Sequence, residues 1–297
     1  MSHSADQDLN SQQHHLSTAS YDLRITNLAR FIYQLILTCH SGLDPESRKK
    51  KTGSPIGVGD DTLTFFDVGA GNGLFLKFFK NKGYNVSGIE LEKELVFNMK
   101  KDPELKGVSI SQADITKLKG KEGNDVVLAS DVIEHIKDDK LAIAHLWSHV
   151  APGGLMVITV PAHSHLYGKR DKMWGHYRRY DAEVLLERIQ TSLCHPALDA
   201  GSRKNKTGSL DGEHSRTARD DKDYTIVFVT HWNIVGYFIY FLYEKILHQS
   251  INENMRYSNS IVSKIIRGAL DGILKIEEII GGLPLGLTLV AVVRKQR

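Results

Sequence analysis

The sequence predicts a doubly wound α/β fold, with seven strands in one sheet and helices on both faces. Three observations carry this. Short apolar runs alternate with stretches of helical apolar spacing from residue 63 onward. A glycine-rich turn, Asp67-Val68-Gly69-Ala70-Gly71-Asn72-Gly73, follows the first apolar run and opens a helix. The chain has 297 residues, of which 41% are hydrophobic, enough to bury the core of one large α/β domain.

The elements follow in order. Leu23, Leu28, Phe31, Ile32 and Leu35 share one face of a helix over residues 21–37. A polar stretch rich in Gly, Pro and Lys runs over 39–61. A strand over 63–68 then leads through the glycine turn into a helix over 74–81, a strand over 85–90 and a helix over 91–100. A short strand over 108–110, a strand over 125–129 and a helix over 140–150 come next. Pro152-Gly153-Gly154 reads as a turn into a strand over 155–160, followed by a helix over 182–190. Strands over 224–230 and 287–293 complete the sheet.

Two copies of one short repeat interrupt this order. The run from Cys39 to Ser54 matches the run from Cys194 to Ser209 at about eleven of sixteen positions. The copies are polar and far apart, so they cannot stack as a solenoid. Each falls between expected elements, where insertion is tolerated. They resemble translated copies of a short mobile repeat found in bacterial reading frames. A metal site made from Cys39, His40, Cys194 and His195 is the rival reading, but adjacent ligands on a loop chelate poorly. The expected domains are therefore 1–62, a helix with an inserted repeat, and 63–297, the main domain. The latter carries a second insert at about 193–221 and a helical cap at about 232–280.

Composition narrows the function classes. The formal net charge is only +3 with no dominant basic stripe, so no nucleic-acid partner is expected. Two cysteines do not make a disulfide framework, which points to the cytoplasm. Residues 1–20 lack the apolar core of a signal peptide. The longest apolar run, 234–243, is too short to cross a bilayer. Contact of the segment 232–247 with a membrane or lipid surface stays open beside its reading as a core helix of the cap.

The glycine turn lies where a doubly wound sheet binds small molecules. Its glycines fall at 69, 71 and 73, and Leu74 stands where a dinucleotide fold would place the third. The turn opens with Asp67, which disfavours a diphosphate and favours a cation. Glu90 ends the second strand, where a carboxylate can accept from ribose hydroxyls. Asp114, with Ile115, follows the third strand and suits an adenine amino group. Ser130 and Asp131 end the fourth strand and would line the cofactor's other side.

Together DVGAGNG, Glu90, the run QADI, the run DVVLASDVIEHI and the turn before VITVP resemble the ordered motifs of class I S-adenosylmethionine-dependent methyltransferases. Within them the chain is similar to the type 11/12 group, close to the quinone-biosynthesis methyltransferases. The resemblance covers about residues 63–181. It implies a Rossmann-like sheet, mostly parallel with an antiparallel last strand, and S-adenosylmethionine as cofactor. It places the methionine portion on Asp67, Gly69, Ala70, Gly71 and Gly73, the ribose on Glu90 and the adenine on Asp114 and Ile115. A nicotinamide-dependent oxidoreductase and a non-catalytic S-adenosylmethionine-binding protein are the alternatives.

In-line methyl transfer needs alignment, exclusion of water and, for a hydroxyl or amine acceptor, a general base. His135, beside Glu134 after the fourth strand, and His176 are the candidate bases. The aromatic and basic segment 161–180 is the candidate substrate lid, with His163, Tyr167, Trp174, Arg178, Arg179 and Tyr180 as substrate-binding residues. Its GHYRRY run resembles a motif of the same group. Asp131, Glu134 and His135 are similar to the Glu-x-x-Glu-His metal site of some methyltransferases. The first acid is Asp here and further ligands cannot be placed, so no metal is expected. The acceptor is expected to be a small molecule: quinone-like, lipid-linked or sugar-linked.

Overall fold

The computed structural model describes residues 19–39, 62–118, 123–194, 223–247, 261–280 and 282–296. Beyond Cys39 and Cys194, both repeats lie outside these residues, as do His40 and His195. The two cysteines are free thiols.

Seven strands form one sheet: β1 Thr64–Val68, β2 Asn85–Glu90, β3 Ser109–Gln112, β4 Asn124–Ser130, β5 Val150–Pro161, β6 Tyr224–Trp232 and β7 Thr288–Lys295. Their spatial order is β3-β2-β1-β4-β5-β7-β6. The pairs among β1 to β5 are parallel, and β7 runs antiparallel to both β5 and β6. Strand order reverses between β1 and β4, and this opens a crevice beyond their carboxyl ends.

The helices are α1 Ala19–Cys39, α2 Leu74–Asn81, α3 Lys93–Lys101, α4 Asp139–Ser148, α5 Lys169–Met173, α6 Ala182–Cys194, α7 Ile234–Phe241 and α8 Ile261–Ile280. Strand side chains alternate between two cores. Phe65, Val126 and Leu128 join Leu28, Phe31 and Ile32 of α1 and Leu76 and Phe79 of α2 on one face. Phe66, Val127 and Ala129 join Ile143 and Leu146 of α4 and Leu185 and Ile189 of α6 on the other. The near-continuous apolar run of β5 reflects this burial on both faces.

Most element boundaries move by a few residues from the sequence reading, and two of the shifts have a clear physical cause. Pro152-Gly153-Gly154 does not precede β5 but lies inside it, where the register with β4 shifts between Asn124 and Val126. The glycine expected to end a turn instead lets backbones crowd: a Cβ on Gly154 would stand 2.9 Å from the Asp125 carbonyl oxygen. The helix expected from residue 91 begins at Lys93, because the Leu91 and Glu92 N–H groups turn back onto Glu90. Among the described residues, no helix is long and apolar enough to cross a membrane.

Candidate functional site

The crevice is built from the glycine turn. Gly69 has φ 75, and a Cβ there would meet Val132 Cγ2 at 2.5 Å, so the turn closes against the residue after Asp131. Gly71 has φ 54 and nothing within 4 Å of a Cβ, so this stretch of backbone faces open space. The turn is pinned to β2 by Gly69 N–H and Ala70 N–H, which both donate to the Ile89 carbonyl at 2.9 and 3.0 Å. Gly73 sits in the left-handed conformation at the N-cap of α2.

Two acids flank this turn. Glu90 Oε2 accepts from Gly71 N–H at 2.8 Å, while Oε1 accepts from Leu91 N–H and Glu92 N–H at 2.7 and 3.0 Å. Asp67 is buried, and its Oδ2 has no partner. Burial, reinforced by the Glu90 charge, pushes its pKa up to about 8. A buried, unpartnered acid beside open backbone fits a ligand that brings positive charge. Asp114 Oδ1 accepts from Thr116 N–H and Oγ1 at 2.9 and 2.7 Å, and Ile115 is buried below it. The Thr116 hydroxyl holds the Asp114 carboxyl below its ordinary range, so an anionic acceptor faces this end of the crevice.

Across the crevice, Ser130 Oγ shares a hydrogen bond with Thr159 Oγ1 at 2.9 Å, and Asp131 adopts φ 53. The strained turn at Asp131 aims its carboxylate toward α1, where Arg24 Nη2 lies 3.2 Å from Oδ2. Arg24 stands 107 positions from its partner, and nothing in the sequence pattern marks it. It brings a cation to the crevice that sequence reasoning missed.

The segment expected to be a substrate lid folds into the short 3-10 turn Ser164–Leu166, helix α5 and the run to Tyr180. Its centre is Asp171, nearly fully buried. Asp171 Oδ1 contacts His176 Nδ1 at 2.9 Å and accepts from Arg179 Nε at 2.8 Å. Its Oδ2 accepts from Gly168 N–H at 2.9 Å and Tyr240 Oη at 3.1 Å. Burial opposes its ionisation, but the His176 and Arg179 bonds outweigh that and hold its pKa near 2. An ionised carboxylate only accepts, so His176 Nδ1 faces it as the donor, and Nε2 is the ring nitrogen turned away from Asp171.

His176 meets His135 edge to face, with ring centroids 4.7 Å apart. Glu134, His135 and His176 each bring one donor atom into a group spanning no more than 4.8 Å. Glu134 is fully buried with both carboxylate oxygens unpartnered. Burial first, then the Asp131 charge, pushes its pKa well above the ordinary value. Burial and the neighbouring His176 pull His135 down to about 4. These three groups offer the donor set of a cation site and equally a path for sharing a proton.

The remaining lid residues divide. His163, with φ 65, stacks on His231 at 5.0 Å and 4° and meets Tyr237 at 4.9 Å. Its Nε2 is buried without a partner. Tyr167 donates to the His176 carbonyl at 2.8 Å, and Trp174 is half-buried under the Arg170 guanidinium. Arg178, Arg179 and Tyr180, assigned to the acceptor from sequence, already have partners. Arg178 Nη1 lies 2.7 Å from Asp139, Arg179 is tied to Asp171, and Tyr180 Oη donates to Asp139 at 3.0 Å. His231 and Tyr237 come from β6 and α7, distant in sequence from the lid they join.

Comparison with known proteins covers the same region. A family model described as a methyltransferase domain matches residues 38–201. Two ubiquinone biosynthesis O-methyltransferases are similar: that of Bradyrhizobium sp. (strain ORS 278) is 30% identical over 99 residues, and that of Rhodopseudomonas palustris (strain BisB18) 31% over 98 residues. These matches cover 33% and 32% of this chain. The chain spans 39% of the length of each of these relatives. Among solved structures, the plantazolicin methyltransferase BpumL in complex with SAH is 11% identical, with a TM-score of 0.51 over 98% of this chain and 90% of that one. The likeness is one of fold.

Proposed function

This chain belongs to the methyltransferase-domain family, as a class I S-adenosylmethionine-dependent methyltransferase, and we propose that it methylates a hydroxyl group of a small-molecule acceptor. The acceptor is quinone-like, lipid-linked or sugar-linked, and the names of the two curated relatives favour the first.

The observation that carries the reading is the Asp171–His176 pair, set beside buried Glu134 at the carboxyl edge of the sheet. Asp171 fixes the tautomer of His176 and leaves the Nε2 lone pair free to take the acceptor proton. The bound cofactor supplies an electrophilic methyl group on a sulfonium. With that methyl group in place, His176 Nε2 would take the proton of the acceptor hydroxyl as its oxygen is methylated. Asp67 faces the positive charge, Glu90 and Asp114 hold the nucleoside end, and Arg24 with Ser130 and Asp131 closes the opposite wall. His135 is kept neutral and does not compete as a charged group. His163, Tyr167 and Trp174 line the acceptor side, while Arg178, Arg179 and Tyr180 brace the lid.

The glycine spacing argues against the nicotinamide reading, because Leu74 stands where a dinucleotide turn has its third glycine. Calorimetry should show binding of S-adenosylmethionine and none of NADH. Profiling methylated metabolites in cells with and without the protein identifies the acceptor. With that acceptor, His176→Gln should lower turnover about 100-fold or more while cofactor binding is kept. Full activity in that variant sinks the base assignment. Activity should also survive exhaustive chelation, and its loss would transfer the role of Glu134, His135 and His176 to a bound cation.

A further inference from the structure

In the apolar segment after β6, the side chains of Tyr240, Glu244 and Lys245 face the candidate lid. Tyr240 is buried on α7, and its Oη donates to Asp171 Oδ2 at 3.1 Å across 69 positions of sequence. The Arg179 guanidinium lies over the Tyr240 ring at 4.3 Å. Five residues on, in the π-helical turn Leu242–Ile246, Lys245 Nζ donates to the Tyr167 carbonyl at 3.3 Å. Tyr167 Oη in turn donates to the His176 carbonyl at 2.8 Å. Glu244 sits so close that a Cβ on Gly168 would stand 3.2 Å from its Oε2. The His176 ring through Asp171 and its carbonyl through Tyr167 therefore both lead back to this segment, which lies outside the matched residues 38–201.

We propose that Tyr240 is a positioning residue for His176, acting through Asp171. The inference rests on the reading of His176 as the base, and its test does not depend on turnover. Four donors share the Asp171 carboxylate: Gly168 N–H and Tyr240 Oη on Oδ2, His176 Nδ1 and Arg179 Nε on Oδ1. Each donor draws negative charge toward itself and weakens the others. Tyr240 thus moderates the pull of Asp171 on the His176 Nδ1 proton and fixes the carboxylate plane that orients the imidazole. The cap segment becomes part of the proton-handling machinery, where apolar patterning alone would make it packing.

The readout is the Nδ1 proton of His176, followed by NMR in the full-length, histidine-labelled protein saturated with S-adenosylhomocysteine and assigned by its loss in His176→Gln. In Tyr240→Phe the signal should persist and move downfield, because Asp171 keeps more charge for Nδ1. A 3-fluorotyrosine placed at position 240 is a stronger donor that keeps every heavy atom of the side chain. It should move the signal upfield, and it keeps the test valid if Tyr240→Phe folds poorly. Lys245→Met, which acts only on backbone support, should leave the signal in place. An unshifted signal with 3-fluorotyrosine, or shifts of the same sign in both Tyr240 variants, overturns the proposal. Should His176→Gln keep full methylation while the two shifts appear as stated, the base assignment falls and the positioning by Tyr240 stands.

Discussion

Asp67 is buried beside Glu90 with one oxygen unpartnered, so the ligand-free chain holds it protonated over much of the neutral range, with a pKa of about 8. A bound cation reverses that preference, since opposite charge favours the ionised acid. S-adenosylmethionine binding at pH 7 should therefore release protons, seen as a dependence of calorimetric heat on the ionisation enthalpy of the buffer. Affinity should climb as pH rises toward 8. Asp67→Asn keeps the shape and loses the charge. It should weaken binding by about 10- to 100-fold, the worth of roughly 1.5–3 kcal/mol for a charge-assisted contact, and abolish the proton release. Equal affinity in the variant would remove Asp67 from the site. Asp67 and Glu90 were legible in sequence because the chain itself fixes them, one at the end of a strand and the other one strand later. Arg24, Tyr240, His231 and Tyr237 were not, because their partners stand far off in sequence. The same long-range pairing gave Arg178, Arg179 and Tyr180 internal partners that local composition cannot reveal.

Helix α7 begins where three hydrogen bonds to two side chains converge. Glu277 of α8 accepts from Asn233 N–H and Ile234 N–H at 2.6 and 3.0 Å, and Asn233 Oδ1 accepts from Gly236 N–H at 2.8 Å. The first N–H groups of a helix have no partner within it, so a buried carboxylate from another helix satisfies them and joins the two. Glu277→Ala strips that cap inside a buried contact. It should cost about 1–3 kcal/mol locally, read as faster hydrogen exchange confined to α7 and α8, with β1 to β5 unchanged. Uniform exchange across the sheet would show that the cap helices unfold only with the whole domain. At this scale the sequence was most informative where one pattern ran long: α2, β2 and the alternation from β1 to β5 came out in order. It was least informative where a residue type has two uses. Pro152-Gly153-Gly154 serves a bulge rather than a turn, and the helix after β2 starts late because Glu90 recruits the two N–H groups that follow it.

Among the described residues, the titratable groups with shifted pKa values divide by sign, and the division sets how stability follows pH. Asp67 has a folded value of about 8, above that of an unfolded carboxylate. Between those values the folded chain holds a proton that the unfolded chain has released, so stability falls as pH rises through that window and levels off beyond it. Glu134 and Glu277, both raised by burial, act in the same direction. His135, pulled down to about 4, acts oppositely: the unfolded chain takes up its proton first, so stability rises with pH until the ordinary imidazole value of about 6.5. His149, His163 and His231 are lowered by burial and add to that rise. Asp171, near 2, contributes stability that is lost only as pH falls below the ordinary carboxylate range. Below about 6.5 the two sets oppose each other, and above it the histidines fall silent and the buried acids act alone. The thermal midpoint of the ligand-free chain should therefore decline between pH 6.5 and 8. Asp67→Asn should remove much of that decline. Saturating S-adenosylmethionine should flatten it, because the bound cation leaves Asp67 ionised throughout. A ligand-free midpoint that climbs across this interval would mean that Asp67 already has a compensating charge in the folded chain, and the cation-binding account of the glycine turn would fail with it.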